Sequence, residues 1–259
     1  MMRTSVFHTL CCMMMAGYLA APLISAQEEM KSVRTVHLNV AYQAGVTQDD
    51  ALQVADYLET DYDYLNRKLQ MDLGKRLDVH LYDTEGKFLK ATQQSRASRG
   101  AMFFRGVLHI EPVKMLDNAR ILEQSLSFEL SFLMLDSAAA KGCPRWLREA
   151  FAVYHSGEMT ELSPPSSTKL HYFYDLDEDI QQSPFPPQRD DVHYMLGMTM
   201  RFFVERFGEE KAFGIFKAFT GSQSTEDVFK NTFGTPFEEI EKAWADYMTA
   251  STKKNDGKK

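Results

Sequence analysis

The sequence predicts an α+β fold, with a small β-sheet near the N-terminus and a mainly helical remainder. Residues 33–42 and 77–82 alternate apolar and polar side chains, which is the period of a strand with one buried face. From residue 113 onward, apolar residues instead recur every three or four positions, as they do along a helix with one buried face. The change of period divides the chain into a strand-rich part, residues 27–112, and a helical part, residues 113–250.

In the strand-rich part we expect the order strand, helix, strand, loop and strand. Residues 48–71 carry apolar side chains at helical spacing, and Gly74 follows as a stop signal. Residues 83–99 are polar with two weak apolar positions, so the pattern predicts a loop there. Residues 102–110 predict a strand pair or a bent strand that turns at Arg105-Gly106.

The helical part is predicted to contain six helices. Their expected ranges are 113–135, 144–157, 190–207, 209–219, 225–233 and 236–248. Residues 158–189 are rich in proline and serine, and a loop of this length within a compact chain is typical of a lid or of disorder. Residues 251–259 are polar and are predicted to be a disordered tail.

The composition is that of a water-soluble globular protein. Apolar residues make up 44% of the chain and charged residues 25%. Acidic residues outnumber basic ones, 36 to 29, and the formal net charge is −7. Because binding to phosphates requires a cationic face, this balance argues against a general nucleic-acid-binding protein.

The N-terminus has the pattern of a signal peptide. Arg3 supplies a short cationic start, residues 6–23 are mostly apolar, and small residues precede a polar segment after Ala26. A transmembrane anchor is the alternative, but the apolar stretch is short and contains Pro22. We therefore expect residues 1–26 to be cleaved and the protein to be periplasmic or secreted in a bacterial cell envelope, without stable membrane insertion.

Two segments of the helical part carry a recognisable motif. Residues 126–133 read L-S-F-E-L-S-F-L, and residues 144–154 read P-R-W-L-R-E-A-F-A-V-Y. Together they resemble the gluzincin zinc metallopeptidases of the peptidase MA-like family, in which H-E-L-x-H on one helix precedes P-x-W-L-x-E-G-x-A-x-Y on the next. Shorter similarities extend the resemblance over roughly residues 33–248. It implies a zincin-like fold.

In that family the two histidines and the glutamate of the second helix bind zinc, with water as the fourth ligand. The matching positions here are Phe128, Phe132 and Glu149, of which only Glu149 can bind a metal. Glu129 matches the glutamate that activates the zinc-bound water, but without zinc there is no acidified water to activate. The resemblance therefore implies a degenerate site that has lost zinc and has no catalytic residue.

Phenyl rings at both histidine positions would fill space left by imidazole and metal. The alternative is that Phe128 and Phe132 belong to an ordinary helix core and that the match is accidental. Glu149, without zinc, is expected to pair with a basic group such as Arg145 or Arg148.

We expect an inactive homologue that binds a peptide or protein in the former active-site cleft, where Trp146, Tyr154 and Tyr194 are further candidate residues. One alternative is an active hydrolase with a non-standard metal site, for which His155 or His193 would have to supply ligands. Another is a scaffold whose relevant surface lies elsewhere.

Overall fold

A small mixed sheet and a mainly helical remainder make up the fold, so the predicted α+β class is confirmed. The structure is a computed structural model and describes residues 30–95, 100–138, 142–165, 172–182 and 188–256. The predicted signal peptide, residues 1–26, lies outside the described residues. Within the described ranges, no helix combines the length and apolar character needed to cross a membrane.

The elements follow one another along the chain in a fixed order. The strands are β1 (Lys31–Arg34), β2 (Leu38–Tyr42), β3 (Leu77–Leu81), β4 (Ala101–Phe104) and β5 (Val107–Ile110). The helices are α1 (Gln48–Leu69), α2 (Glu85–Thr92), α3 (Val113–Ala119), α4 (Leu122–Ala138), α5 (Arg145–Ser156), α6 (Phe173–Gln182), α7 (Gln188–Phe207), α8 (Glu209–Ala218), α9 (Thr225–Phe233) and α10 (Phe237–Asp256), with a short 3-10 helix at Glu158–Thr160.

The five strands form one sheet in the order β1-β2-β3-β5-β4. Strands β2, β3 and β5 are parallel, and the two edge strands, β1 and β4, run antiparallel to their neighbours. Helix α1 connects the parallel strands β2 and β3, as a parallel pair requires. The edge strand β4 lies beside α4, and this contact brings the sheet to the helices that carry the motif.

The predicted strand over residues 33–42 is in fact two strands joined by a tight turn. The backbone N–H of Thr35 donates to the carbonyl of Leu38 at 3.0 Å, which closes the turn. Glu59 of α1 fixes it, because its carboxylate accepts from the backbone N–H of His37 at 2.7 Å and contacts the His37 ring at 2.6 Å. A long-range contact of this kind leaves no local signal in the sequence.

Two segments predicted to be irregular contain helices. Helix α2 lies within residues 83–99, where Thr84 caps the helix by accepting from the backbone N–H of Lys87 and Phe88 is buried. Helix α6 lies within residues 158–189, and its buried residues Phe173, Leu176 and Ile180 have helical spacing. Because the segment is short and prolines lie on either side of it, its helical spacing was not recognised in the sequence and a loop was predicted.

Two helix ends also differ from the prediction. The helix expected over residues 113–135 is split into α3 and α4, because Arg120 adopts a left-handed conformation with φ 59°. Gly is the usual residue at such a stop, so the sequence gives no sign of it. Helix α10 continues through Asp256, past the predicted start of the tail at residue 251, and no Gly or Pro precedes Gly257 to stop it.

Helix α4 is the central helix of the molecule. It packs against α1, α5 and β4, and residues on most of its sides are buried, among them Leu126, Leu130 and Met134. Most of its apolar residues are covered by these neighbours. The segment of α4 that resembles the metallopeptidase motif is therefore packed between the sheet and the neighbouring helices.

Glu111 lies directly after β5 and has 2% of its surface exposed. Burial, together with the negative charge of Glu85, raises its pKa from 4.5 to about 7. Between these values the unfolded chain has lost a proton that the folded chain retains. The folded state therefore binds more protons, and its stability must fall as the pH rises through this window.

We expect Glu111→Gln to remove most of this pH dependence, since the amide keeps the size of the side chain without a charge. As the pH rises from 4.5 to 7, the parent should lose about 1–3 kcal/mol of unfolding free energy that the variant keeps. Urea unfolding across this pH range measures the difference. The exposed glutamate Glu123, changed to Gln, is the matched control, and equal pH profiles for the two variants would contradict the assignment.

Candidate functional site

A cavity of about 310 Å³ lies between β4, α4 and α5. The residues that line it are Met102, Phe103, Phe128, Glu129, Phe132, Leu133, Asp136, Arg145 and Glu149. The set includes the four positions that correspond to the zinc ligands and the general base of the metallopeptidase motif. A larger crevice of about 470 Å³ is lined by α1 and α8 and contains none of them.

Phe128 and Phe132 lie one turn apart on the side of α4 that faces the cavity. Their ring centroids are 6.4 Å apart, and the ring planes differ by only 2°. Phe128 is 5% exposed, whereas Phe132 is half-buried and has the guanidinium of Arg148 over its ring at 5.5 Å. The two positions are therefore unequal, because Phe128 belongs to the core and Phe132 to the wall of the cavity.

Glu129 connects α4 to the sheet. Its Oε2 accepts a hydrogen bond of 3.1 Å from the backbone N–H of Phe103 in β4. Because β4 is an edge strand, this N–H points away from the strand pairing and toward the helix. Glu129 thus binds a backbone donor of the edge strand and holds β4 against α4.

Glu149 is the centre of a buried polar cluster and is 2% exposed. Its Oε2 lies 3.3 Å from Nε of Arg145, and its Oε1 lies 3.3 Å from Nε2 of His193. The other ring nitrogen of His193, Nδ1, lies 3.1 Å from Oε1 of Glu158. The pairing of Glu149 with Arg145 confirms the expectation from the sequence, while Arg148 pairs with Asp136 instead.

From the sequence, His193 was considered only as a possible ligand of a non-standard metal site, and the structure places it beside Glu149. It lies in α7, 44 positions from Glu149 in the chain, and is 1% exposed. Its ring stacks on Phe128 with centroids 5.8 Å apart. A single histidine near the start of a helix is an ordinary feature of a sequence, so only the packing of α7 on α5 shows that it belongs here.

These residues do not fit the zinc site of the metallopeptidases that the two segments resemble. Phenyl rings have no lone pair with which to bind zinc, and they stand at two of the three positions that would match the ligands of that family. The nitrogens of His193 face different carboxylates and cannot both meet one ion. Over the ranges that the structure describes, no group of three or more His, Cys, Asp or Glu side chains is arranged to hold a metal.

The three further cleft candidates lie outside the lining of the cavity. Trp146 is fully buried and stacks on Phe173 of α6 with centroids 4.9 Å apart. Tyr154 is half-buried and meets the ring of Phe213 edge-on, and Tyr194 is buried in α7. Tyr154 is five residues beyond Glu149, which places it on another face of α5.

Helix α6 fixes the start of α5 and hence the position of Glu149. Pro144 precedes α5 and has no side-chain acceptor for the free N–H groups of the first turn. Asp177 of α6 supplies that acceptor, since its Oδ1 receives the backbone N–H of Trp146 at 2.7 Å. Burial raises the pKa of Asp177 above its ordinary value.

Comparison of the whole chain with models of protein families and with curated proteins finds no match.

Proposed function

We propose that the chain is a degenerate member of the peptidase MA-like family, with a zincin-like fold, that has lost zinc and peptidase activity. It binds a peptide or a protein segment in the cavity between β4, α4 and α5. The observation that carries the proposal is that Phe128, Glu129, Phe132 and Glu149, which come from two separate motifs, surround one cavity. Phe128, Glu129 and Phe132 are neighbours on α4, so the contribution of the fold is that Glu149 of α5 faces the same cavity.

The lining of the cavity suits a peptide. Met102, Leu133 and the two phenyl rings offer apolar surface for a side chain, and Asp136 and Arg145 add charges of both signs. The adjacent strand β4 is an edge strand, and extended peptides commonly pair with such an edge. The outward N–H of Phe103 is already bound by Glu129, so a peptide would pair with the remaining backbone groups of β4. Apolar pockets with a few polar groups are the usual form of a ligand site.

Hydrolysis at this site has no support from the residues present. Glu129, the position of the general base, holds the backbone of Phe103. Cys143 is the remaining candidate nucleophile near the motif, but burial raises its pKa to about 12. Its thiol therefore stays protonated at neutral pH, and a thiol without its thiolate form is a poor nucleophile.

We also propose that the protein is exported to a bacterial periplasm or to the medium, and that its partner is a peptide or protein rather than a nucleic acid. The net charge of −7 argues against a nucleic acid as the partner. Stable insertion into a membrane is not part of the proposed function.

Selection of peptides from a random library on the purified protein, followed by calorimetric titration, tests the proposal. We expect Met102→Trp to weaken binding of a selected peptide by about tenfold or more, because the indole fills part of the cavity. Met115→Trp is the matched control, since Met115 is 39% exposed on α3 and outside the cavity.

Equal binding by the two tryptophan variants would contradict the cavity as the binding site. Elemental analysis of the parent protein separates the proposal from an active hydrolase with a non-standard metal site. Tightly bound stoichiometric zinc, together with peptide hydrolysis that a chelator stops, would establish that alternative instead.

A further inference from the structure

A smaller pocket, of about 130 Å³, adjoins the first cavity, which is the one between β4, α4 and α5. Phe103 and Leu133 line both, so the two are neighbours that share a wall. The other residues around the smaller pocket are Leu73, Lys75, Arg76, Leu77, Asp78, Gly106 and Ser137. We call it the Lys75 pocket. A peptide bound in the first cavity therefore lies beside it.

The Lys75 pocket has two cationic side chains in its lining, Lys75 and Arg76, and both are exposed. Over the ranges that the structure describes, no carboxylate forms an ion pair with either of them. Asp78, which also lines the pocket, accepts a hydrogen bond of 2.9 Å from Nδ2 of Asn39. Ser137 adds a hydroxyl group. The lining thus carries two positive charges against one negative charge, together with hydrogen-bond donors.

The segment that carries these cations is fixed by long-range contacts. Nε of Arg76 donates to the carbonyl of Thr35 at 3.0 Å. The hydroxyl of Tyr62 accepts from the backbone N–H of Leu73 at 3.0 Å and donates to Oδ1 of Asp72 at 2.8 Å. Because this segment is already ordered, a ligand that binds to it loses less free energy to the ordering of the chain.

The first cavity has the opposite balance of charge. Glu129, Asp136 and Glu149 line it, together with the guanidinium of Arg145. Arg148, which pairs with Asp136, brings a second positive charge close to it, and the carboxylates are still in excess. The charge therefore changes from net negative in the first cavity to net positive in the Lys75 pocket. A bound peptide is favoured when its own charges are complementary to this pattern.

We propose that the peptide bound in the first cavity places a carboxylate in the Lys75 pocket, where it pairs with Lys75 and Arg76. The inference rests on the proposed function and specifies the class of peptide that binds. The carboxylate belongs to an Asp or Glu side chain or to the C-terminus of the peptide, and both present the same chemistry. A carboxylate forms charge-assisted hydrogen bonds with ammonium and guanidinium groups. The small volume of the Lys75 pocket suits such a group better than a large side chain.

A peptide selected on the purified protein, synthesised in three forms, tests the inference. The first form is unchanged, the second has a C-terminal amide, and the third carries Asn and Gln in place of every Asp and Glu. We expect one altered form to bind about three- to tenfold more weakly in calorimetric titration, because it lacks the carboxylate that pairs with Lys75 and Arg76. The form that loses affinity identifies the source of the carboxylate.

A charge reversal on the protein completes the test. Lys75→Glu should weaken binding of the unchanged peptide by about tenfold or more, and it should have a smaller effect on the form that lacks the carboxylate. Lys114→Glu is the matched control, since Lys114 is exposed on α3 and lines neither pocket. It changes the net charge equally and should leave binding unchanged.

Two results would overturn the inference. They are equal binding of the three peptide forms and an equal loss in the Lys75 and Lys114 variants. If Met102→Trp still weakens binding in these cases, the first cavity remains the binding site and only the assignment of the Lys75 pocket fails. If Met102→Trp has no effect either, the proposed function fails as well. The comparison of the three peptides uses the unaltered protein, so it decides the question even where a variant fails to fold.

Discussion

We expect Phe128→Ala to lower the free energy of unfolding by about 3–5 kcal/mol, because it leaves a cavity in a packed core. Phe128 is 5% exposed, stacks on His193 and lies parallel to Phe132. Loss of the phenyl ring removes apolar burial and also uncovers the polar cluster around Glu149. Denaturant unfolding of the parent and the variant measures the difference.

Phe132→Ala is the matched control, since it makes the same change one turn further along α4. Phe132 is half-buried and lines the open cavity, so we expect a smaller loss, of about 1–3 kcal/mol. The sequence predicted that both rings are core side chains. In the structure Phe128 is buried in the core, whereas Phe132 is only half-buried. Two variants as stable as the parent would contradict the placement of α4 at the centre of the fold.

The elements with strong periodicity were predictable from the sequence. The helix from Pro144 to Gly157 corresponds to α5, and Gly157, with φ 73°, ends it in a left-handed conformation. The turn at Arg105-Gly106 joins β4 to β5 as expected. Local signals sufficed in these cases because capping, chain reversal and apolar spacing all act within a few residues.

Elements determined by distant contacts were not predictable. The turn before β2 depends on Glu59, and the start of α5 depends on Asp177 of α6. No local pattern in the sequence indicates either contact, since each residue bonds to a segment more than 20 positions away. The same limit applies to α6, whose few buried residues are flanked by prolines.

The candidate site was predictable in part. The spacing of Phe128 and Phe132 puts both on one face of a helix, and this is observed at the cavity. The sequence also predicted the pairing of Glu149 with Arg145. It did not predict the pairing of His193 with Glu149 or the contribution of Met102 and Phe103 from β4. No pattern relates a histidine or an edge strand to a helix that is distant in the chain.

Histidines at positions 128 and 132 should create a zinc site in this cavity. We expect the double variant Phe128→His and Phe132→His to bind one zinc ion per chain, since two imidazoles one turn apart and the carboxylate of Glu149 surround the same cavity. The expected coordination is tetrahedral with N and O ligands, and elemental analysis with X-ray absorption measures it. The single variant Phe132→His, which supplies only one new nitrogen, is the control and should bind zinc far more weakly.

Glu149 already has the outer contacts that a ligand carboxylate needs. Nε2 of His193 contacts its Oε1, and Nε of Arg145 contacts its Oε2. Such contacts orient a ligand, and their loss commonly lowers metal affinity by about 10- to 100-fold. We therefore expect His193→Ala, added to the double variant, to lower zinc affinity by about this factor.

The new histidines have no partners selected to orient their rings, so we expect at most weak peptide hydrolysis from the double variant even with zinc bound. A folded double variant that takes up no zinc would show that Phe128, Phe132 and Glu149 do not face a common point. In that case the resemblance to the metallopeptidases would be confined to the sequence. If His193→Ala does not change zinc affinity, positions 128, 132 and 149 would still form a zinc site. His193 would then contribute to the stability of the fold and not to the orientation of Glu149.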